Sequence, residues 1–315
     1  MVKKKKKKKK KIREEEKPKF PNKKLIIISA VLTSVIVLGF MISFTLLHSP
    51  EVKFSLKAAI IDQLGGSFPN PQFVTNVTNI LKTRGFEVYY YKSEEVTVSF
   101  FYQLAKNNYG IIILRAHSAL RNDNSTVDLF TSEPFNNNKY VKERKNGLLV
   151  EGILNYSQNQ EEYFAVTSRF IENLEGTFPK SVVIAMGCWS LKPECKQMAE
   201  AFHQKGAMVY IGWTEMVKIN HTDVETVKLL RMLLEENKTI EKATEDVVPD
   251  RMFGSKMEYY PTDAGSLRIS SLIKEVNTSS GKYQASTSLN LCCVFVTNVI
   301  SLRMRKVESS LPSLI

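Results

Sequence analysis

The sequence predicts an α/β fold, a three-layer αβα sandwich with a mostly parallel sheet, preceded by one transmembrane helix. Strand-like apolar runs alternate with amphipathic helical segments from residue 57 to about residue 250, a rhythm typical of βα units. The run Ile111 to Leu114 is apolar at every position, as in a strand that is covered on both faces. A charge-free segment of 23 residues, 25–47, comes before all of them. The composition, 43% hydrophobic and 24% charged, is that of a globular protein and excludes a disordered chain.

The positive charge is concentrated in the first 24 residues. This tail has 14 basic and 3 acidic residues, which gives it +11 of the total net charge of +12. The rest of the chain is nearly neutral, so we expect no nucleic-acid partner. A basic tail followed at once by an apolar segment instead predicts a cytoplasmic tail that attracts anionic lipid.

Residues 25–47 are predicted to span the membrane. At about 1.5 Å per residue a helix of this length covers a hydrocarbon core of roughly 30 Å. A secretory signal usually has an apolar stretch of only about 7–15 residues and a cleavage site of small residues, so we expect an uncleaved anchor. The positive-inside rule then places a stalk (48–56) and the following domain on the outer face of the cell membrane.

Potential N-glycosylation sites agree with this orientation. Roughly two or three Asn-X-Ser/Thr sequons are expected by chance from the composition. The sequence has six, all beyond the anchor, at Asn76, Asn124, Asn155, Asn220, Asn237 and Asn277.

The domain is predicted over residues 57–250. Its first half contains strands at 57–62, 86–91 and 109–118, with helices at 70–85 (apolar face Phe73, Val77, Ile80 and Leu81, ending at Gly85) and 97–107. Residues 119–180 are polar and rich in turn residues, with possible short strands at 148–153 and 163–166. Loops of that length are usually functional.

The second half repeats the βα pattern. It is predicted to contain strands at 181–187 and 207–213, a helix from Pro193 to Lys205, and helices at 222–236 and 239–247. Residues 251–315 form an extension in which "MEYYPTDAGSLRI" suggests an edge strand. The apolar segment 289–302 is short for a membrane span and suits a core strand or a peripheral helix.

Two residues at predicted strand ends are candidates for catalysis. Parallel sheets bind ligands beyond the carboxyl ends of their strands, and both His117 and Cys188 lie there. A cysteine nucleophile needs thiolate character, which the N-terminus of a following helix and a nearby imidazole supply. Taken singly, each has a plainer interpretation: a small buried cysteine and a structural histidine. A Cys188–Cys195 disulfide is disfavoured, because seven mostly helical residues separate the Cα atoms by about 10 Å.

The order of these residues resembles a known superfamily. A hydrophobic strand ending in His, a spacer and a hydrophobic strand ending in Cys are similar to the caspase, legumain and gingipain superfamily of cysteine peptidases (clan CD). The stretches "CKQMAEAFHQKGAMVYIGWTEMV" and "HTDVETVKLLRMLL" resemble its gingipain and CHAT branches. The resemblance covers about residues 57–250 and implies a caspase-like fold. It also implies a thioester mechanism in which Cys188 attacks and His117 protonates the leaving amine.

The resemblance implies further site residues. The backbone N–H groups of Cys188 and Ser118 would form the oxyanion hole. Asp62 would favour Arg or Lys at P1, the substrate residue before the scissile bond, and Trp213 would wall its pocket. The alternatives, Asp62 as a loop or cap residue and Trp213 as ordinary packing, stay open. Ser118 stands where the family usually has glycine.

Two functions follow from these observations. The first is a membrane-anchored, extracytoplasmic cysteine endopeptidase acting on a peptide or protein substrate. The second is a catalytically inactive, caspase-like surface binding or scaffold module. No cofactor or metal is expected, because the sequence lacks a Walker loop and an H-E-x-x-H motif. An α/β-hydrolase elbow is disfavoured, because "MGCWS" lacks the second glycine. The sequence does not fix the oligomeric state.

Overall fold

The computed structural model describes residues 31–40, 53–156 and 159–278. Residues 31–40 are helical, and their large apolar side chains are exposed. Within the described ranges, no helix has the length and apolar character needed to cross a membrane. The other residues of the expected anchor (25–30 and 41–47), the basic tail and most of the stalk lie outside these ranges, as do residues 279–315.

The described residues contain two β-sheets. Their strands are β1 Lys57–Asp62, β2 Glu87–Tyr91, β3 Ile111–Arg115, β4 Ser118–Leu120, β5 Val127–Pro134, β6 Leu149–Tyr156, β7 Asn159–Val166, β8 Val182–Ala185, β9 Val209–Trp213 and β10 Met257–Tyr260. The larger sheet has the order β10-β9-β8-β3-β1-β2, and every neighbouring pair in it is parallel except β9 with β10. The mostly parallel sheet and the edge strand after residue 251 are therefore confirmed, and the structure shows that this edge strand is antiparallel to β9.

Helices cover both faces of this sheet. They are α1 Pro71–Thr83, α2 Val98–Leu104, α3 Val141–Lys145, α4 Ser168–Glu172, α5 Gln197–Gln204, α6 Ile219–Leu234 and α7 Ile240–Glu245, and residues 269–278 are also helical. Alternate residues of β1 enter different cores: Ala58 and Ile60 pack with α1, α6 and α7, whereas Ala59 and Ile61 pack with α2, α4 and α5. This arrangement is compatible with the expected three-layer sandwich.

Helix α1 shows how local sequence produces an element. The Asn70 side chain caps it by accepting a hydrogen bond from the N–H of Phe73 at 3.0 Å, and Pro71 occupies the first turn. The predicted apolar face of this helix is buried. Helix α5, by contrast, begins at Gln197 and not at Pro193, so its predicted start is wrong.

The smaller sheet corrects the interpretation of residues 119–180. The two possible short strands, at 148–153 and 163–166, are parts of β6 and β7; with β4 and β5 they form a four-stranded antiparallel sheet in the order β4-β5-β7-β6, and β4 begins at Ser118. Its apolar side joins the core under α2, α4 and α5. The other side carries polar residues, as is common for antiparallel sheets, and this polar half gives the segment its loop-like composition.

The strand order defines an edge where ligands are expected. The chain passes from β1 outward to β2 and then returns to β3 on the other side of β1, so the strand order reverses between β1 and β3. In open α/β sheets, ligands bind beyond the carboxyl ends of the strands at such a switch point. The predicted site residues lie at this edge: Asp62 and Trp213 end β1 and β9, and His117 and Cys188 follow β3 and β8.

Candidate active site

The pairing of β3 with β8 brings His117 and Cys188 to the same edge. The two strands are parallel, with Ile111 opposite Val182 and Leu114 opposite Ala185. The ladder continues as the N–H of Met186 donates to the carbonyl of Leu114 at 3.0 Å. Beyond the strand ends, the two neighbouring segments carry His117 and Cys188 to the same edge of the sheet.

Direct contacts hold these two segments together. The Ser118 hydroxyl donates a hydrogen bond to the Cys188 carbonyl at 2.6 Å. A Cβ on Gly187 would lie 2.2 Å from Ser118 Oγ and 2.6 Å from the carbonyl oxygen of Ala116, so only glycine allows this approach. The same Cβ would lie 2.9 Å from the backbone nitrogen of Ser118, so the backbone of Gly187 packs directly against that of Ser118. The serine side chain fixes the Cys188 peptide.

The Cys188 thiol is half-buried against the loop after β9. Its Sγ accepts a hydrogen bond from the N–H of Val217 at 3.5 Å and approaches the Val217 carbonyl oxygen at 3.7 Å. Burial raises the pKa of Cys188, and the Val217 hydrogen bond opposes that rise only in part. Helix α5 starts nine residues after Cys188, so the expected help from a helix N-terminus is wrong. The thiol is protonated at neutral pH.

The residue after Cys188 has a strained backbone. Trp189 has φ 54°, in the left-handed region that costs energy for a side chain other than glycine. Glu215 holds it there: its carbonyl accepts from the Trp189 N–H at 3.0 Å, and its carboxylate accepts from the indole Nε1–H at 2.9 Å. Lys192 binds the same carboxylate at 2.8 Å. The loop that carries Cys188 is thus held in one conformation.

His117 is held by contacts with the loop after β1 and with β5. Its N–H donates to Gln63 Oε1 at 2.9 Å, and its carbonyl accepts from the N–H of Phe130 at 2.9 Å. Its ring packs edge-on against Phe68 and Phe130, with centroids 6.3 and 6.2 Å away. Burial, followed by the positive charge of Arg115, lowers the pKa of His117 to about 4. The imidazole is therefore neutral at pH 7.

Asp62 does not face a substrate site. It is 1% exposed; its Oδ1 accepts from Arg115 Nη1 at 2.6 Å, and its Oδ2 accepts from the Tyr90 hydroxyl at 3.0 Å. Arg115 also donates from Nε and Nη2 to Asp223 at 2.8 and 2.9 Å, and from Nη2 to the Phe68 carbonyl at 2.9 Å. The interpretation of Asp62 as a P1-selecting acid is corrected: it is a counter-ion of a buried arginine.

The sequence analysis missed Arg115 and Asp223. A basic residue at the end of the apolar run "IIILR" was the available signal, because a buried charge needs a partner. Through Phe68 and Asp223, Arg115 connects the loop after β1 to α6.

Trp213 packs in the core and does not line a pocket. Its side chain is 0% exposed, its Nε1–H donates to Thr222 Oγ1 at 2.8 Å, and its ring lies 5.6 Å from that of His221. The packing alternative therefore fits Trp213, and its neighbour His221 is the residue that reaches a cavity.

A cavity of about 760 Å³ lies between the loop after β1 and the start of α6. Two of its lining residues touch the candidate pair: the Phe68 ring packs on His117, and the Val217 backbone binds Cys188 Sγ. The lining is mainly apolar, with Phe68, Val217, Ile219, Val224 and Phe253. Lys218, Asn220 and His221 complete it.

The remaining predicted features concern the cysteine pairing, metal binding and the sequons. Cys188 and Cys195 are both free thiols, and the buried Cys195 donates to the Asn124 carbonyl at 3.3 Å. The structure-described part of the chain has no group of three or more His, Cys, Asp or Glu residues that could hold a metal. Four sequon asparagines are exposed: Asn124, Asn220, Asn237 and Asn277. Asn76 is half-buried, and the side chain of Asn155 lies outside the described residues.

Comparisons with known proteins add no family assignment. No protein-family model matches the chain, and no curated protein matches it. The resemblance to clan CD peptidases therefore stays a prediction, and the site is interpreted from its own geometry.

Proposed function

We propose that this chain is a membrane-anchored, extracytoplasmic cysteine peptidase with Cys188 as the nucleophile and His117 as the group that transfers the proton. One observation carries the proposal: β3 and β8 are parallel neighbours, and His117 and Cys188 follow them at the ligand-binding edge of the sheet. A cavity adds a place for a substrate side chain, and two of its lining residues contact the pair: Phe68 packs on His117, and Val217 binds Cys188.

The resting charges define the order of proton transfers. Cys188 is a protonated thiol and His117 a neutral imidazole, so neither group is charged before substrate arrives. As Sγ bonds to the scissile carbonyl carbon, the thiol proton passes to His117. His117 then gives that proton to the amine nitrogen as the C–N bond breaks, leaving a thioester that water hydrolyses back to acid and thiol. The N–H of Cys188 is the proposed donor to the oxyanion.

The location part of the proposal rests on the N-terminal sequence and the sequons. The apolar segment 25–47 would anchor the chain and the lysine tail would bind anionic lipid on the cytoplasmic side. A protease added to intact cells should then remove the domain. Full protection of the domain in intact cells, with cleavage after lysis, would contradict the outward orientation.

A second candidate function is an inactive binding module with the same fold. The raised pKa of the Cys188 thiol favours it, because thiolate is the nucleophilic form. Ser118, where the resembling family usually has glycine, also favours it, because its side chain occupies the space beside Cys188.

Peptidyl acyloxymethyl ketones separate these two functions. The full chain in detergent micelles is treated with ketones that differ at P1, and the adduct is located by mass spectrometry. A peptidase should be modified at Cys188, and His117→Gln should slow the reaction by about 10²-fold or more. Cys195→Ala, which removes another buried thiol, should leave the rate unchanged. Modification of Cys188 by iodoacetamide but by none of the ketones would favour the binding module.

A further inference from the structure

We infer that the cavity beside Cys188 is the P1 pocket and that it selects a large apolar or aromatic side chain instead of Arg or Lys. This inference rests on the proposed peptidase function. It names the substrate class from the residues that surround the cavity.

The position of the cavity fits a P1 pocket. The side chain that precedes a scissile bond must lie within a few ångströms of the attacking sulfur. Val217 forms one wall and binds Cys188 Sγ through its backbone at 3.5 Å. Phe68 also lines the cavity and packs against His117. A volume of about 760 Å³ is ample for an aromatic ring.

The chemistry of the lining excludes a basic side chain as the preferred occupant. Among the described residues, no carboxylate lines this cavity, and its one formal charge is the positive charge of Lys218. The nearby acids are engaged elsewhere: Asp62 and Asp223 are bound by Arg115, and Asp250 accepts from the N–H groups of Lys218 and Met252. A guanidinium or ammonium group would find no counter-ion in the lining, whereas an aromatic ring would gain apolar contacts.

Contacts within the protein hold residues next to the pocket in place before substrate binds. Arg115 binds the Phe68 carbonyl on one side and Asp223 of α6 on the other. Asp223 lies next to Val224, which lines the cavity. The two walls are therefore fixed to β3, which lowers the ordering cost of binding.

Binding to a variant that cannot react tests the pocket apart from catalysis. The full-length Cys188→Ala protein in micelles is titrated with fluorescent peptide acids ending in Phe, Leu or Arg, and anisotropy is measured against a micelle blank. We expect the Phe peptide to bind at least 10-fold more tightly than the Arg peptide. Equal or tighter binding of the Arg peptide would overturn the inference.

A charge placed in the pocket supplies the matched comparison. Val224 is 52% exposed, so Val224→Glu should fold, and it should weaken Phe binding at least 10-fold while strengthening Arg binding. Val141→Glu is the control, because Val141 is a similarly exposed valine (41%) on α3 and does not line the cavity. Unchanged selectivity in Val224→Glu would overturn the pocket assignment.

The ketone experiment distinguishes failure of this inference from failure of the proposed function. Modification of Cys188 with no preference for Phe over Arg at P1 would overturn the pocket and leave the peptidase standing. Selective binding of Phe peptides without modification by any ketone would overturn the peptidase and support the pocket as a recognition site.

Discussion

Replacing Arg115 by methionine should destabilise the domain severely. Arg115 makes four hydrogen bonds through its guanidinium group, three to the carboxylates of Asp62 and Asp223 and one to the Phe68 carbonyl. The side chains in both ion pairs are at most 3% exposed, so water does not screen the charges. Methionine would leave two carboxylates buried side by side without a cation.

The expected loss is about 3–5 kcal/mol of unfolding free energy, the range for removing one partner of a buried ion pair. Adding about 1.5–3 kcal/mol for each charged hydrogen bond would give a larger value. We expect the smaller value, because the orphaned carboxylates can bind protons or admit water. A loss of this size is still a large part of the about 5–15 kcal/mol that stabilises a typical protein.

Urea unfolding of the full chain, followed by tryptophan fluorescence, measures this loss. The chain has two tryptophans, Trp189 and Trp213, and both lie in the domain. Lys242→Met is the control, because Lys242 is 64% exposed and pairs with Glu245 on a helix surface, where such pairs contribute about 0.2–0.5 kcal/mol. A loss below about 1 kcal/mol for Arg115→Met would refute the proposed network.

Three further predictions concern the site. Gly187→Ala should cost about 1–3 kcal/mol and slow ketone labelling of Cys188, because its Cβ would meet Ser118 Oγ at 2.2 Å. Gly85→Ala is the control, because Gly85 has φ +83° but open space around it; it should lower the unfolding free energy by about 1–2 kcal/mol without changing the labelling rate. Equal slowing of labelling in the two variants would count against a close approach of Gly187 to Ser118. The pKa of His117 is lowered to about 4 in the folded protein, whereas an unfolded histidine binds a proton below about pH 6.5. The free energy of unfolding should therefore decrease as the pH falls from about 6.5 to 4. Urea unfolding should show that this decrease between pH 7 and 4.5 is about 2–3 kcal/mol smaller in His117→Gln than in the wild type, and equal decreases would disprove the burial effect. Ser118→Ala removes the hydrogen bond to the Cys188 carbonyl and should cost about 0.5–1.5 kcal/mol in urea while slowing ketone labelling; an unchanged rate would mean that other contacts hold the loop.

The parallel sheet could be predicted because its strands are buried on both faces. Such strands appear in the sequence as apolar runs, and β1, β3, β8 and β9 were all predicted from these runs. The smaller sheet was predicted only in part: the possible strands at 148–153 and 163–166 are parts of β6 and β7, whereas β4 and β5 were missed. Strand β5, "VDLFTSEP", mixes polar and apolar residues, because one face of an antiparallel sheet is free to be polar.

Among the site residues too, some positions could be predicted from the sequence and some roles could not. His117 and Cys188 were found because parallel strands end at a common edge, a rule that needs only the strand positions. The role of Asp62 was not predictable, because it depends on pairing between distant residues. Arg115 lies 53 residues from Asp62 and 108 residues from Asp223 along the chain. A single sequence does not show which distant charged residues form ion pairs.

The neutral resting state of the proposed catalytic pair, Cys188 and His117, explains why the two candidate functions look alike before substrate binds. A preformed thiolate–imidazolium pair would react rapidly with any small electrophile at neutral pH. Here burial raises the pKa of Cys188 and lowers that of His117, so both shifts favour the uncharged forms. A peptide that fills the adjoining cavity would exclude water and position its carbonyl carbon beside the thiol, and the proton could then move to the imidazole as the new bond forms. Reactivity toward a peptide ketone, and not toward iodoacetamide, is therefore the property that separates a peptidase of this kind from an inactive relative.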